Sequence, residues 1–204
     1  MGQISAMGEA DNTVFFFMVD NGASGEIINR GDKHDPAAPL GSAGSYLCLG
    51  PGWSTASNSP LSLHKHWNHE GGIASPFIVH WPGGIQSGGE LRHVPGHFID
   101  LVPTILELAG VGEKTPEIGP RLPGRSLAPA FASDPDWEDR EFFFAHSDNR
   151  ALRRGDWKAV MRRDNGNRWE LYQIAEDRAE LHDLAWEALQ TQYDEDFLSG
   201  TETN

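Results

Sequence analysis

His64, Lys65, His66, His69 and Glu70 crowd into one short stretch, directly before Gly71 and Gly72. An ammonium there can neutralise an anionic group, and imidazoles can carry protons or ligate a metal. Two adjacent glycines permit backbone paths that a Cβ forbids. The apolar run Pro76–Trp81 follows and is closed by Pro82-Gly83-Gly84, which predicts a short buried strand. Polar groups on a loop that leads into a core strand are a usual way for an α/β protein to present chemistry at its sheet edge. The same residues also fit a surface loop that holds histidines by chance.

A second stretch narrows the reading. Val14–Val19 is an apolar run of strand type that passes straight into Asp20-Asn21-Gly22. A carboxylate and an amide at the end of a strand offer hard oxygen ligands to a divalent cation. Taken alone, Asp-Asn-Gly also reads as a plain turn.

The combination is more specific than either part. The segments V-D-N-G-A-S-G-E-I, R-G-D-K-H-D-P-A-A-P-L-G-S-A, C-L-G-P-G-W-S and H-K-H-W-N-H-E-G-G-I-A resemble the sulfatase family, and bacterial arylsulfatases in particular. The resemblance runs from Asp11 to about Leu184 and matches only the C-terminal part of such an enzyme. It implies an α/β fold: residues 1–135 as the C-terminal part of an alkaline-phosphatase-like sulfatase sheet, and residues 136–204 as a small subdomain of four antiparallel strands and a helix. It implies Asp20 and Asn21 as metal ligands, with calcium favoured over magnesium. Lys65 matches the lysine that contacts the sulfate and assists catalysis. Sulfate ester hydrolysis needs charge stabilised on the sulfuryl oxygens and on the leaving oxygen, which a divalent cation and a placed lysine supply.

Several features depart from the family pattern. The sulfatase nucleophile is a formylglycine made from the cysteine or serine of C/S-x-P-x-R. Cys48 stands in C-L-G-P-G, without the proline or the arginine, so it is not that residue, and no other segment fits. The N-terminal aspartate pair and the N-terminal lysine and histidine of the family site are also unmatched. The chain therefore reads as a fragment that needs the missing N-terminal half, inactive alone. A histidine metal cluster of His64, His66 and His69 is disfavoured, because the family's cation is held by oxygen. His66 stands where relatives usually carry a smaller residue. Glu70, Gly71, Gly72 and His146 are read as structural.

The expected activity is hydrolysis of a small-molecule sulfate ester of arylsulfatase type. The alternatives are a phosphonate or phosphate monoester hydrolase of the same superfamily, or a non-catalytic half-domain. The net charge of −14 comes from 30 acids against 16 bases, with no basic patch, which argues against nucleic acid as a partner. No apolar run is long enough for a membrane span. A single cysteine excludes an internal disulfide and leaves the compartment open between cytoplasm and periplasm.

Among the positioning elements, residues 1–12 read as a helix end and a turn. Ala23–Pro60 reads as an ordered excursion anchored by Tyr46, Leu47, Cys48, Leu49 and Trp53. Phe98, Leu101, Val102, Ile105, Leu108 and Ala109 share one helical face, with Asp100 as N-cap and Gly110 as stop. Residues 112–137 read as a linker or wrap. Strands are predicted at Glu141–His146, Arg150–Arg153, Trp157–Met161 and Trp169–Tyr172, then a helix with Trp186, Leu189, Tyr193 and Phe197 on one face.

Overall fold

The computed structural model describes residues 1–27, 33–111, 122–137 and 140–193. By internal contacts the chain forms two compact units, Met1–Met18 with Phe77–Glu138, and Val19–Pro76 with Asp139–Asn204.

The first unit opens with helix α1, Gly2–Ala6, and strand β1, Phe15–Met18. Strand β2, Phe77–His80, pairs with β1 antiparallel, Phe15 opposite His80 and Met18 opposite Phe77. Both runs form strands, as their composition predicts, and they are sheet neighbours. The expected burial is corrected: Phe17 is 59% exposed and Ile78 57%, while Phe15, Phe16 and Met18 are half-buried.

Helix α4, Leu101–Leu108, follows a 3-10 turn at Phe98–Asp100 and stops at Gly110, whose φ is 69°. Two expectations are corrected here. Asp100 does stand at the N-cap of α4, but its side chain makes no cap bond; the carboxylate accepts from the backbone N–H groups of His97 and Arg125 instead. The buried positions are Asp100 and Thr104, while Val102 and Ile105 are half-exposed. Thr104 Oγ1 donates to the Asp100 carbonyl and accepts from the Leu127 N–H, so the segment at Gly124–Leu127 is held to the helix by a polar seam. Residues 112–121 of the predicted wrap lie outside the described residues.

The second unit holds the four-stranded meander. Strands β3 Glu141–His146, β4 Asn149–Arg154, β5 Trp157–Met161 and β6 Trp169–Gln173 are antiparallel in chain order. Period-two alternation turns Ala151, Val160 and Tyr172 inward, where they form a core with Ile174 and part of Phe144. The same alternation buries Asn149, Lys158 and Glu170. Helix α5, Leu184–Tyr193, packs against β6. The side chains of Leu189 and Tyr193, and all of Phe197, lie outside the described residues. The excursion before the site contains helix α2, Gly50–Asn58, with Pro51 at its start. Of its expected apolar anchors, Leu47 is 62% exposed and Trp53 71%, so these two do not bury.

Candidate functional site

The site lies in the second unit, where two distant loops are laced together through their backbones. Beyond β1, the Gly22 N–H donates to the Gly72 carbonyl at 3.0 Å, and the Lys65 N–H donates to the Ala23 carbonyl at 3.0 Å. The Ala23 N–H donates to Asn58 Oδ1, whose amide donates in turn to the Leu63 carbonyl. Ser75 Oγ donates to the Val19 carbonyl. Gly22 is buried, and a Cβ there would run into the Gly71 carbonyl oxygen. Asp20-Asn21 and Lys65 therefore share one loop cluster. Asn21 Nδ2 donates to the Gly22 carbonyl at 3.0 Å, and the neighbouring Asp20 is exposed. A carboxylate and an amide oxygen are donor types that a hard divalent cation accepts.

The loop that carries Lys65 is fastened to the sheet by buried charge. Glu70 opens the short helix α3, Glu70–Ile73. Its carboxylate is 2.9 Å from Lys158 Nζ and 2.6 Å from Arg178 Nε. Lys158 is fully buried and also lies 2.8 Å from Glu180 Oε1, an ion pair made outside hydrogen-bond geometry. Glu180 Oε2 accepts the Glu70 N–H at 2.7 Å. Burial works to raise the Glu70 carboxyl, but Lys158 and Arg178 outweigh it and hold the group below the ordinary glutamate range. For Glu180 burial prevails over Lys158, and the carboxyl is pushed up. Next door, buried His69 meets Glu170 at 2.8 Å, and Glu170 also accepts from the Tyr172 hydroxyl. Burial and the Glu170 charge push that hydroxyl upward.

Around Lys65 the side chains form a chain of contacts that spacing could not reveal. Lys65 Nζ is 3.5 Å from Glu26 Oε2. Glu26 Oε1 is 2.9 Å from His66 Nε2, and His66 Nδ1 is 3.2 Å from His146 Nε2. Ser24 Oγ donates to Glu26 at 2.9 Å. His66 has φ 89°, a left-handed backbone uncommon outside glycine. Asn149 Nδ2 holds it there through the His66 carbonyl at 3.0 Å. The β3–β4 hairpin, turning on Ser147 and Asp148 with positive φ, thus presses both His146 and Asn149 on His66. His146, read from sequence as structural, is exposed and sits in this cluster. His64 packs on Gly25, and burial with the nearby His66 lowers its imidazole. No group of three or more His, Cys, Asp or Glu side chains among the described residues could hold a metal ion, so the histidines do not converge on one.

Comparison with known proteins places this arrangement in a class. Residues 2–111 match the sulfatase family, and residues 62–198 match the N-sulphoglucosamine sulphohydrolase C-terminal family. The chain belongs to the sulfatase family. It is 31% identical to an uncharacterized sulfatase of Schizosaccharomyces pombe over 89% of this chain and 36% of that protein. It is 30% identical to an arylsulfatase of Klebsiella aerogenes over 54% of this chain and 26% of that protein. The crystal structure of Ps i-CgsB superposes with a TM-score of 0.64 at 26% identity, over 95% of this chain and 37% of that one. The chain spans about a third of the length of the Schizosaccharomyces pombe relative and about a quarter of the Klebsiella aerogenes one. No described helix is long and apolar enough to cross a membrane.

Proposed function

We propose that this chain supplies the C-terminal part of a sulfuric ester hydrolase of arylsulfatase type, with Asp20 and Asn21 holding a calcium ion, or magnesium in its place, and Lys65 contacting the sulfate. The observation that supports this reading is the lacing of Gly22 to Gly72 and of Ala23 to Lys65, which brings the oxygen donors and the ammonium to one cluster. The cation would neutralise developing charge on a sulfuryl oxygen. The Asp20 carboxylate and Asn21 Oδ1 would orient it, and the Lys65 ammonium would hold a second oxygen and stabilise the leaving oxygen. Glu26 keeps Lys65 in place before the anion arrives, at 3.5 Å. Two protein ligands fall short of the about six to eight oxygens that calcium takes, so the remaining ligands and the formylglycine nucleophile belong to a segment upstream of this chain. The family match supports a sulfate ester as substrate.

The test uses the 204-residue chain and the full-length protein side by side, with 4-nitrophenyl sulfate and added calcium or magnesium. The short chain is expected to show no turnover above buffer, because nothing in it divides the difficult step into two. The full-length protein turns over, and Lys65→Ala lowers its kcat by about two to three orders of magnitude, as for loss of one transition-state donor. Robust turnover by the short chain, or a Lys65→Ala effect under about threefold, overturns the reading.

A further inference from the structure

We propose that Glu26, His66 and His146 form a hydrogen-bonded relay that presents one ring nitrogen, His146 Nδ1, to a hydroxyl on the alcohol half of the substrate, and so makes the site selective for sulfate esters of hydroxyl-bearing alcohols. The inference rests on the hydrolase reading and names what the same site recognises beside the sulfate.

The relay follows from which atoms can donate. A carboxylate only accepts, so the 2.9 Å contact with Glu26 Oε1 places a proton on His66 Nε2. In the tautomer with that one proton His66 has its lone pair on Nδ1, and the 3.2 Å contact then makes His146 Nε2 the donor to it. The remaining nitrogen, His146 Nδ1, is left as an acceptor on an exposed residue. One carboxylate, anchored by Ser24, sets the tautomers of two rings in series. The ring centroids are 5.4 Å apart with a 30° tilt, so the rings are side by side through their nitrogens and not converged on a common point. That geometry suits a relay and does not suit a metal.

Charge decides what the outer nitrogen matches. The Glu26 charge is already opposed by Lys65 at 3.5 Å. Asp148, next along the turn, is taken by Arg163 at 3.5 Å. In that tautomer the exposed end of the relay is a hydrogen-bond acceptor, and a hydroxyl is its complement. Holding His66 in a left-handed backbone costs free energy, and the Asn149 bond spends a buried amide to keep it there. A residue held at that cost in contact with the partner of Lys65 is a specificity element of the Lys65 site. Glu26 and His66 are positioning residues; His146 is the contact.

The experiment uses the full-length protein with His66→Thr, His146→Ala and the double variant. Each is assayed on 4-nitrophenyl sulfate, which carries no hydroxyl, and on monosulfated galactose and glucosamine isomers. Each single variant is expected to lower kcat/KM on the best sugar sulfate by about 10- to 100-fold, and by at least about tenfold more than on 4-nitrophenyl sulfate, since a site built to pair with a hydroxyl loses selectivity when its partner is removed. The double variant should be no worse than the poorer single one, because the two rings act as a unit. Parallel losses on both substrates, losses on neither, effects that multiply in the double variant, or a wild type active on the aryl ester alone overturn the relay. A wild type inactive on every ester sinks the hydrolase reading instead. Binding then decides the relay: the same sugar sulfates must shift the His146 ring signals in a histidine 1H–15N correlation, and unmoved signals overturn it.

Discussion

Replacing Lys158 by methionine removes the buried cation that two carboxylates share while keeping most of the side-chain volume. Lys158 is fully buried, 2.9 Å from Glu70 Oε1 and 2.8 Å from Glu180 Oε1. Removing one partner of a buried ion pair costs about 3–5 kcal/mol, because the other charge is left uncompensated. Here the loss falls mainly on Glu180. Glu70 keeps Arg178 at 2.6 Å, and Glu180 keeps the Glu70 N–H at 2.7 Å as its hydrogen-bond donor among the described residues. That residual compensation sets the expectation at the lower end, about 3 kcal/mol at neutral pH. The assay is the denaturant midpoint at unchanged slope. Glu180 already has its folded-state pKa raised by burial, and losing Lys158 raises it further. A carboxyl raised in the folded state binds its proton more tightly there than in the unfolded chain. The deficit is therefore largest above the folded value and shrinks as pH falls toward the ordinary glutamate value. Adding Glu180→Gln should recover at least half of the loss. A cost below about 1 kcal/mol, or a Glu180→Gln that adds to the loss, would refute the account of Lys158 as the shared counter-ion.

Gly22→Ala should destabilise the second unit and release the Asp20-Asn21 loop from the Lys65 segment, because the new methyl meets the Gly71 carbonyl; lost protection of the Lys65 and Gly22 amides in hydrogen exchange would report it. Glu70 has its folded pKa depressed, so its contribution is present above the unfolded value and lost as pH falls through the folded one. Glu70→Gln should accordingly be less stable at pH 7 and converge with the wild type in acid, followed by near-ultraviolet circular dichroism. In the full-length protein, chelation or Asp20→Ala should lower both aryl sulfatase activity and the unfolding temperature, and added calcium should restore the chelated protein but not the variant.

The meander could be read directly from the chain, because its signals are local. Gly155 and the Asn165-Gly166-Asn167 turn punctuate alternating strands, and backbone propensity acts within a few residues. The strand character of Val14–Val19 and Pro76–Trp81 was equally legible, whereas the burial of those runs was not, since burial depends on a covering layer that sequence periodicity does not report. Asp20, Asn21 and Lys65 were legible as residue types in a spaced pattern; the cross-loop backbone bonds that unite them were not. Lys158 stands in the alternation with Val160, yet a lysine reads as outward until its partners are known. Those partners, Glu70 and Glu180, approach over a sequence separation of 88 in the first case and close on Lys158 only in the folded unit. Likewise Glu26 and His146 meet His66 across separations of 40 and 80. The chain alone determined which segments become strands. Tertiary structure decided which charges are buried together, because desolvation makes a charge's cost depend on the partner that closes over it.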